Sequence, residues 1–154
     1  MSLYLVQHGE ALAKEVDAER PLSAAGRADV EGLGRLLAGR GVGVARVLHS
    51  GKARARQTAE ILAATLAPQA PIEASDGLAP NDAPAPFADR IAESDDGLLV
   101  AGHLPFMARL VSHLVTGDAD QPTVAYRPGS VVCLERAEDG SWQIAWMLRP
   151  ELVP

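Results

Sequence analysis

The chain has 154 residues, and its 47% of hydrophobic residues suffices for a single domain over residues 1–154, with a mainly aliphatic core because only 4% are aromatic. The formal net charge of -6 argues against a nucleic-acid surface, because neutralising a phosphate backbone requires an excess of Lys and Arg. No apolar run is long enough for a membrane span or a secretory leader, so we expect a cytoplasmic protein without membrane contact.

Cysteine and histidine usage gives no indication of a metal site. Cys133 is the one cysteine, so no internal disulfide can form, and the apolar run around it predicts a buried strand residue. The four histidines lack the close spacing that zinc sites show. We therefore expect neither a metal ion nor another cofactor.

The first predicted element is a short buried strand. Apolar and β-favouring residues run from Leu3 to Val6 and stop at Gln7, His8 and Gly9. A strand that ends in this way places an imidazole at its carboxyl edge, beside a glycine that lets the backbone turn and a ligand approach. His8 is therefore a candidate functional residue.

The next segment predicts a loop, a helix, a strand and a second helix. Residues 11–21 show no hydrophobic period and are predicted to form a loop, after which Ser23 can cap a helix through its hydroxyl. Residues 44–48 form the second predicted strand, and a helix over residues 50–66 follows. Arg54 lies in the first turn of that helix, where the backbone N–H groups and the helix dipole favour an anion.

The middle of the chain predicts short elements joined by a loop. Residues 72–74 are typical of a short edge strand, and residues 77–86 form a loop rich in Pro, Ala, Asn and Asp at the rim of the site. A short helix over residues 86–93 follows. Asn81 and Asp82 are the only polar side chains here that could act as a general acid, and we favour neither.

The last third of the chain predicts a buried strand, a helix and a hairpin. Residues 98–101 form a continuous apolar run, typical of a strand covered on both faces, and end at Gly102 and His103. After the helix come two strands, residues 130–135 and 142–148, joined through an Asp-Gly turn signal. Alternating strands and helices followed by a hairpin predict a three-layer α/β/α fold with a mixed, mostly parallel sheet.

Three predicted strands therefore end in residues that bind or transfer phosphoryl groups. If these strands are parallel neighbours, His8, Arg54 and His103 converge on one crevice at the carboxyl edge of the sheet. His49, at the end of the second strand, either lines this crevice or caps the turn. His113 is expected at a helix surface or boundary.

Three segments resemble the signatures of the histidine phosphatase superfamily: Gln7-His8-Gly9-Glu10, Ser50 to Thr58, and Gly102-His103-Leu104-Pro105. The chain length and the segment Arg20-Pro21-Leu22-Ser23 make the chain most similar to the small SixA-like phosphohistidine phosphatases. The resemblance runs over nearly the whole chain and implies a phosphoglycerate mutase-like fold.

The resemblance also implies roles for individual residues. His8 would be the nucleophile that forms a phosphohistidine intermediate, which water then hydrolyses, while Arg54 and His103 bind the transferring group. The residues expected to bind substrate are Gln7, Gly9, Arg20, Ser50 and Leu104.

One position departs from the family pattern, because the signature usually begins with arginine where this chain has Gln7. A glutamine amide supplies two neutral N–H donors and no charge. Losing one such donor typically costs ~3 kcal/mol of transition-state stabilisation, roughly a hundredfold in rate. Arg20 either supplies the missing charge or is a surface arginine before a helix cap.

The substrate is inferred from what the chain lacks. Larger members of the superfamily carry a helical insertion and a catalytic acid, and this chain has no room for the insertion. A protonated imidazole leaves readily, whereas an alkoxide needs a proton from an acid, and a shallow, uncovered pocket suits a phosphate on a protein surface. These points favour phosphohistidine on a histidine-phosphotransfer type of partner protein, with phosphate as product. Two alternatives stay open: a small-molecule phosphomonoesterase or mutase of the same superfamily, and a non-catalytic phosphate-binding module.

Overall fold

The computed structural model describes all residues, Met1–Pro154, and contains one six-stranded sheet and four α-helices. The strands are β1 (Ser2–Gln7), β2 (Arg46–His49), β3 (Ile72–Ala74), β4 (Leu98–Gly102), β5 (Val131–Arg136) and β6 (Trp142–Leu148). The helices are α1 (Ala24–Gly39), α2 (Ala53–Leu66), α3 (Pro84–Arg90) and α4 (Phe106–Thr116), with 3-10 turns at Glu93–Asp95 and Pro150–Leu152. None of the helices combines the length and apolar character that crossing a bilayer requires.

The strand order is β3-β2-β4-β1-β5-β6. β3, β2, β4 and β1 are mutually parallel, and β5 and β6 are antiparallel to their neighbours, which confirms the predicted mixed, mostly parallel sheet. β4 lies between β1 and β2, so the three strands whose ends carry the candidate site residues are adjacent. In register, Gln7 of β1 pairs with Gly102 of β4, and His49 of β2 pairs with Ala101.

Two apolar layers cover the sheet, one on each face. Alternate residues of β1 point to opposite faces: Leu3 and Leu5 join the cluster that includes α3 and α4, whereas Tyr4 and Val6 join the cluster that includes α1 and α2. The central strand β4 is buried along its whole length. The structure therefore confirms the predicted three-layer α/β/α arrangement and explains the unbroken apolar run in β4.

Two helices begin elsewhere than the sequence predicts. α2 starts at Ala53 and not at residue 50, because Gly51 has a φ of +91° and donates its N–H to Nδ1 of His49, 3.0 Å away. α3 starts at Pro84, since proline suits the first turn of a helix, and it ends at Arg90. Arg54 nevertheless lies in the first turn of α2, as predicted.

Cys133 is a buried residue of β5, as the sequence predicts, and its side chain is 2% exposed. Burial, aided by the nearby Glu135, raises the pKa of the thiol to about 11. Cys133 is therefore protonated at neutral pH and acts as a small apolar side chain of the core.

Candidate active site

The adjacent ends of β1 and β4 bring two histidines together. The N–H of His8 donates to the carbonyl of Gly102 at 2.9 Å, which continues the pairing of the two strands by one residue. The rings of His8 and His103 follow, with centroids 5.1 Å apart and planes inclined at 56°. Two imidazoles separated by more than ninety positions in the chain thus lie side by side at the carboxyl edge of the sheet.

The environment of His8 keeps the ring neutral and fixes its tautomer. Nδ1 lies 2.7 Å from the carbonyl oxygen of Gly9, and because a carbonyl only accepts, Nδ1 must carry the proton. Burial lowers the pKa of His8 to about 4, and the positive charges of Arg54 and Arg20 act in the same direction. At neutral pH the lone pair of Nε2 is therefore available.

His103 is more deeply buried and is also neutral. Its side chain is 1% exposed, and Nε2 shares a hydrogen bond of 2.6 Å with the hydroxyl of Ser50. Burial lowers the pKa of His103 to about 3, with further contributions from the neighbouring His8 and Arg54. The serine that follows β2 is thus attached to the histidine that follows β4.

Arg54 supplies a positive charge next to both histidines. It is the second residue of α2, is only partly exposed, and forms no ion pair with any carboxylate. Burial and the nearby Arg20 lower the pKa of the guanidinium below its usual value, although such a group stays charged in the physiological range. An uncompensated guanidinium at the start of a helix is a suitable partner for an anion.

Three buried side-chain atoms in the molecule have no hydrogen-bond partner, and all three belong to this cluster: Oε1 of Gln7, Nε of Arg54 and Nδ1 of His103. Leaving such a group unpaired typically costs ~1–3 kcal/mol. Their concentration at one sheet edge, in a protein that pairs its other buried side-chain polar atoms, is typical of a functional site.

Thr58 connects the histidine segment to the arginine helix, a contact that the sequence did not reveal. Its buried hydroxyl accepts the N–H of Gly9 at 3.0 Å and donates to the carbonyl of Arg54 at 2.8 Å. The position of Gly9, which holds the His8 ring, is therefore tied to the first turn of α2. The only sequence signal for this contact is that Thr58 is the last residue of the second family-like segment.

Close packing against α1 gives Gly9 a further reason to be glycine. A Cβ at this position would lie 2.8 Å from Cγ2 of Val30 and 3.0 Å from the carbonyl of Gly26, so α1 fills the space on that side of Gly9. Gly26 is equally constrained, because its Cβ would overlap the carbonyl oxygen of Glu10. The two glycines allow α1 to approach the turn that carries His8.

Arg20 faces the cluster from the predicted loop. Its Nε donates to the carbonyl of Leu12 at 3.1 Å, and its φ of +48° is the one left-handed value outside glycine. Its charge acts on His8, Arg54 and His103. The structure thus places Arg20 near the candidate site, and its role in binding stays a prediction.

The remaining candidate residues have separate positions. His49 is used in the turn after β2, where it accepts the N–H of Gly51, so the structure supports the capping interpretation. His113 lies in the last turn of α4. Leu104, next to His103, is 36% exposed at the surface. Asp82 accepts the N–H of Ala79 at 2.9 Å within its own loop.

The cluster lies apart from the cavities of the molecule. The cavities of the molecule, the largest of which has a volume of about 430 Å³ and lies against α1 and β6, are lined by other residues. Neither His8, Arg54 nor His103 contributes to any of them.

Comparison with known proteins gives one family and a consistent fold. The family model described as "Histidine phosphatase superfamily (branch 1)" matches residues 3–82. No curated protein sequence matches the chain.

Solved structures cover the chain over its whole length. The protein histidine phosphatase SixA complexed with tungstate is similar at 26% identity with a TM-score of 0.84, and the alignment covers 100% of both chains. A protein assigned as phosphohistidine phosphatase SixA from Agrobacterium tumefaciens shares 24% identity, with a TM-score of 0.78 and 97% of each chain covered. The alpha-ribazole phosphatase from Shigella flexneri has the same fold at 18% identity, a TM-score of 0.78 and 97% coverage of each chain.

The family match covers more than half of the chain and includes the segments that contain His8 and Arg54. The fold is the phosphoglycerate mutase-like α/β fold that the resemblance implied. The chain belongs to the histidine phosphatase superfamily, branch 1.

Proposed function

We propose that the chain is a phosphohistidine phosphatase that removes the phosphoryl group from a histidine of a partner protein, with His8 as nucleophile. The observation that carries this proposal is the hydrogen bond from Nδ1 of His8 to the Gly9 carbonyl. It leaves Nε2 as the only nucleophilic nitrogen of a neutral ring, and the charge of Arg54 lies beside it.

In the first step, the lone pair of His8 Nε2 attacks phosphorus and a new N–P bond forms. The P–N bond of the substrate breaks, and its electron pair stays on the departing imidazole. Arg54 and His103 donate hydrogen bonds to the phosphoryl oxygens, and the Gln7 amide adds neutral donors. The positive charge that develops on the His8 ring is stabilised by the Gly9 carbonyl, because that oxygen already accepts the Nδ1 proton.

In the second step, water attacks phosphorus and the bond to Nε2 breaks. His8 leaves as a neutral imidazole with its proton still on Nδ1, so this step needs no proton transfer to the leaving group. A proton of the attacking water passes to solvent or to the phosphate product. The same hydrogen bond therefore serves both attack and release.

The electrostatic environment favours a phosphoramidate over an ester. Arg54 and Arg20 lower the pKa values of both His8 and His103, and no carboxylate is among the groups that shift either pKa. A phosphorylated imidazole that is protonated leaves without help, whereas an alkoxide requires a general acid. The likeness to a SixA that binds tungstate, a phosphate-like oxyanion, supports the same substrate class.

The test compares two substrates. The protein is incubated with a phosphohistidine-bearing histidine-phosphotransfer protein and, separately, with small phosphate esters, and release of inorganic phosphate is followed. We expect release of inorganic phosphate from the phosphoprotein, and a phosphoryl group on His8 when the reaction is quenched without acid. Both should be absent in His8→Ala. Faster release from the esters would favour a small-molecule phosphomonoesterase, and no release from either substrate would favour a non-catalytic binding module.

A further inference from the structure

Gln7 contributes no positive charge to the phosphoryl-binding region. This side chain is 7% exposed, carries no charge, and leaves its Oε1 without a partner. A phosphoryl group brings close to two negative charges, and neutral His8 and His103 do not offset them. The compensating charge must come from elsewhere on the rim of the site.

Three cations face the cluster without a carboxylate partner. Arg54, Arg20 and Lys52 all act on His103, and none of them takes part in an ion pair. Arg54 is already assigned to the phosphoryl group. Nε of Arg20 donates a hydrogen bond to the carbonyl of Leu12. Lys52 has every side-chain donor free.

Lys52 lies directly in front of α2 and close to the histidines. Its backbone N–H is 3.4 Å from the hydroxyl of Ser50, and that hydroxyl is 2.6 Å from Nε2 of His103. The side chain is exposed and makes no capping hydrogen bond. Its flexible four-carbon stem carries an unpaired ammonium, a group that binds anionic oxygens as a point charge.

Arg56 is a matched counterexample four positions further on. It is exposed like Lys52, but its Nε lies 3.6 Å from Glu60, one helical turn away. Its charge acts on His49 and does not figure among the charges that act on His8 or His103. The charges of Lys52 and Arg56 therefore act on different histidines, His103 and His49.

We propose that Lys52 binds the phosphoryl group and supplies the positive charge that Gln7 lacks. This inference rests on the proposed function only in that a phosphoryl group is the ligand of the site. It assigns substrate contact to a residue outside the set named from the family resemblance, and it adds a lysine to the arginines near the site.

The first experiment measures binding of inorganic phosphate by calorimetry to the wild type, Lys52→Met and Arg56→Met. We expect Lys52→Met to weaken binding by about tenfold, as the loss of one charge-assisted hydrogen bond does. Arg56→Met should stay within about twofold of the wild type because its charge faces Glu60. Equal affinities for the two variants would overturn the proposal.

The second experiment is a double-mutant cycle with Gln7→Arg. If the two positions supply the same charge, Lys52→Met should cost less than about threefold in phosphate affinity once arginine occupies position 7. The same loss in both backgrounds would overturn the proposal. Gln7→Lys replaces Gln7→Arg if the larger side chain prevents folding, and the cycle is then read in the same way.

Phosphate binding separates this inference from the proposed function. A protein that binds phosphate through Lys52 but releases none from a phosphoprotein would refute the phosphatase activity and leave the role of Lys52 intact. A protein that turns over phosphohistidine while its phosphate affinity is indifferent to Lys52→Met would do the reverse.

Discussion

The carbonyl oxygen of Gly9 lies 2.7 Å from Nδ1 of His8, so the residue that follows the candidate nucleophile holds its ring. Gly9 is in turn held by its own N–H, which donates to the hydroxyl of Thr58 at 3.0 Å. A ring nitrogen, two backbone groups and one hydroxyl thus form a continuous chain from β1 to α2.

Burial should keep both histidines unprotonated far below their ordinary pKa of 6.5. We expect the His8 ring to titrate at about pH 4 and the His103 ring at about pH 3, followed by NMR of the ring protons. Nitrogen shifts should place the His8 proton on Nδ1. Titration of His8 near its ordinary pKa would contradict the buried, neutral nucleophile.

The same shifts make folding stability depend on pH. Because the folded pKa values lie below the unfolded ones, the unfolded chain binds protons first as the pH falls. The contribution of each neutral histidine to the free energy of unfolding is therefore complete above pH 6.5. It is lost as the pH falls toward about 4 for His8 and about 3 for His103. Denaturant unfolding of wild type and His103→Gln should show a smaller acid loss in the variant.

Thr58→Val should uncouple Gly9 from α2. The valine keeps the shape but leaves the buried Gly9 N–H without an acceptor, so we expect kcat on a phosphoprotein to fall by about tenfold with little change in KM. Thr58→Ser keeps the hydroxyl and should restore most of the rate.

The control for Thr58 is Ser112→Ala. Ser112 is also a buried hydroxyl, bonded to Thr123 at 2.9 Å but remote from the site. It should cost stability without altering kcat or the nitrogen shifts of His8. Thr58→Val with unchanged kcat and unchanged His8 shifts would show that its hydrogen bonds are merely structural.

Arg20→Asn should weaken inhibition by phosphate by about threefold, because a nearby positive charge is lost. Asparagine is the suitable replacement, since it tolerates the left-handed backbone at φ +48° better than alanine does. Arg27→Gln, an exposed helix residue outside the charges that act on His8 and His103, serves as the control. An unchanged inhibition constant in Arg20→Asn would remove Arg20 from the binding set.

Asp82→Asn should leave turnover of phosphohistidine unchanged. The carboxylate accepts the Ala79 N–H in its own loop, and an amide oxygen can do the same. A large fall in kcat would instead identify Asp82 as a general acid and favour ester substrates.

Gly26→Ala should destabilise the protein by about 1–3 kcal/mol, because the new methyl group overlaps the carbonyl of Glu10 and forces the turn after His8 to move. Gly39→Ala in the same helix has open space around its Cβ and should be neutral or stabilising by up to about 1 kcal/mol. Denaturant midpoints for the two variants measure the difference, and equal midpoints would refute close packing at Gly26.

The sequence by itself determined which helices and strands form, although α2 and α3 begin at other residues than it predicts. Apolar runs predict the strands. Ser23 caps α1 as predicted, because its hydroxyl accepts the N–H of Gly26 at 3.0 Å. The predicted Asp-Gly turn joins β5 to β6. The histidines at strand ends and the family-like segments were equally visible. These features are local, because they depend on residue types within a few positions of one another.

Only the tertiary structure decided which of these ends meet. No local pattern puts β4 between β1 and β2, yet that order sets His103 beside His8. The hydrogen bond between Gly9 and Thr58 also joins atoms from distant segments. Such contacts follow from the strand order and from how the helices pack on the sheet, and neither hydrophobic periodicity nor residue propensity predicts them.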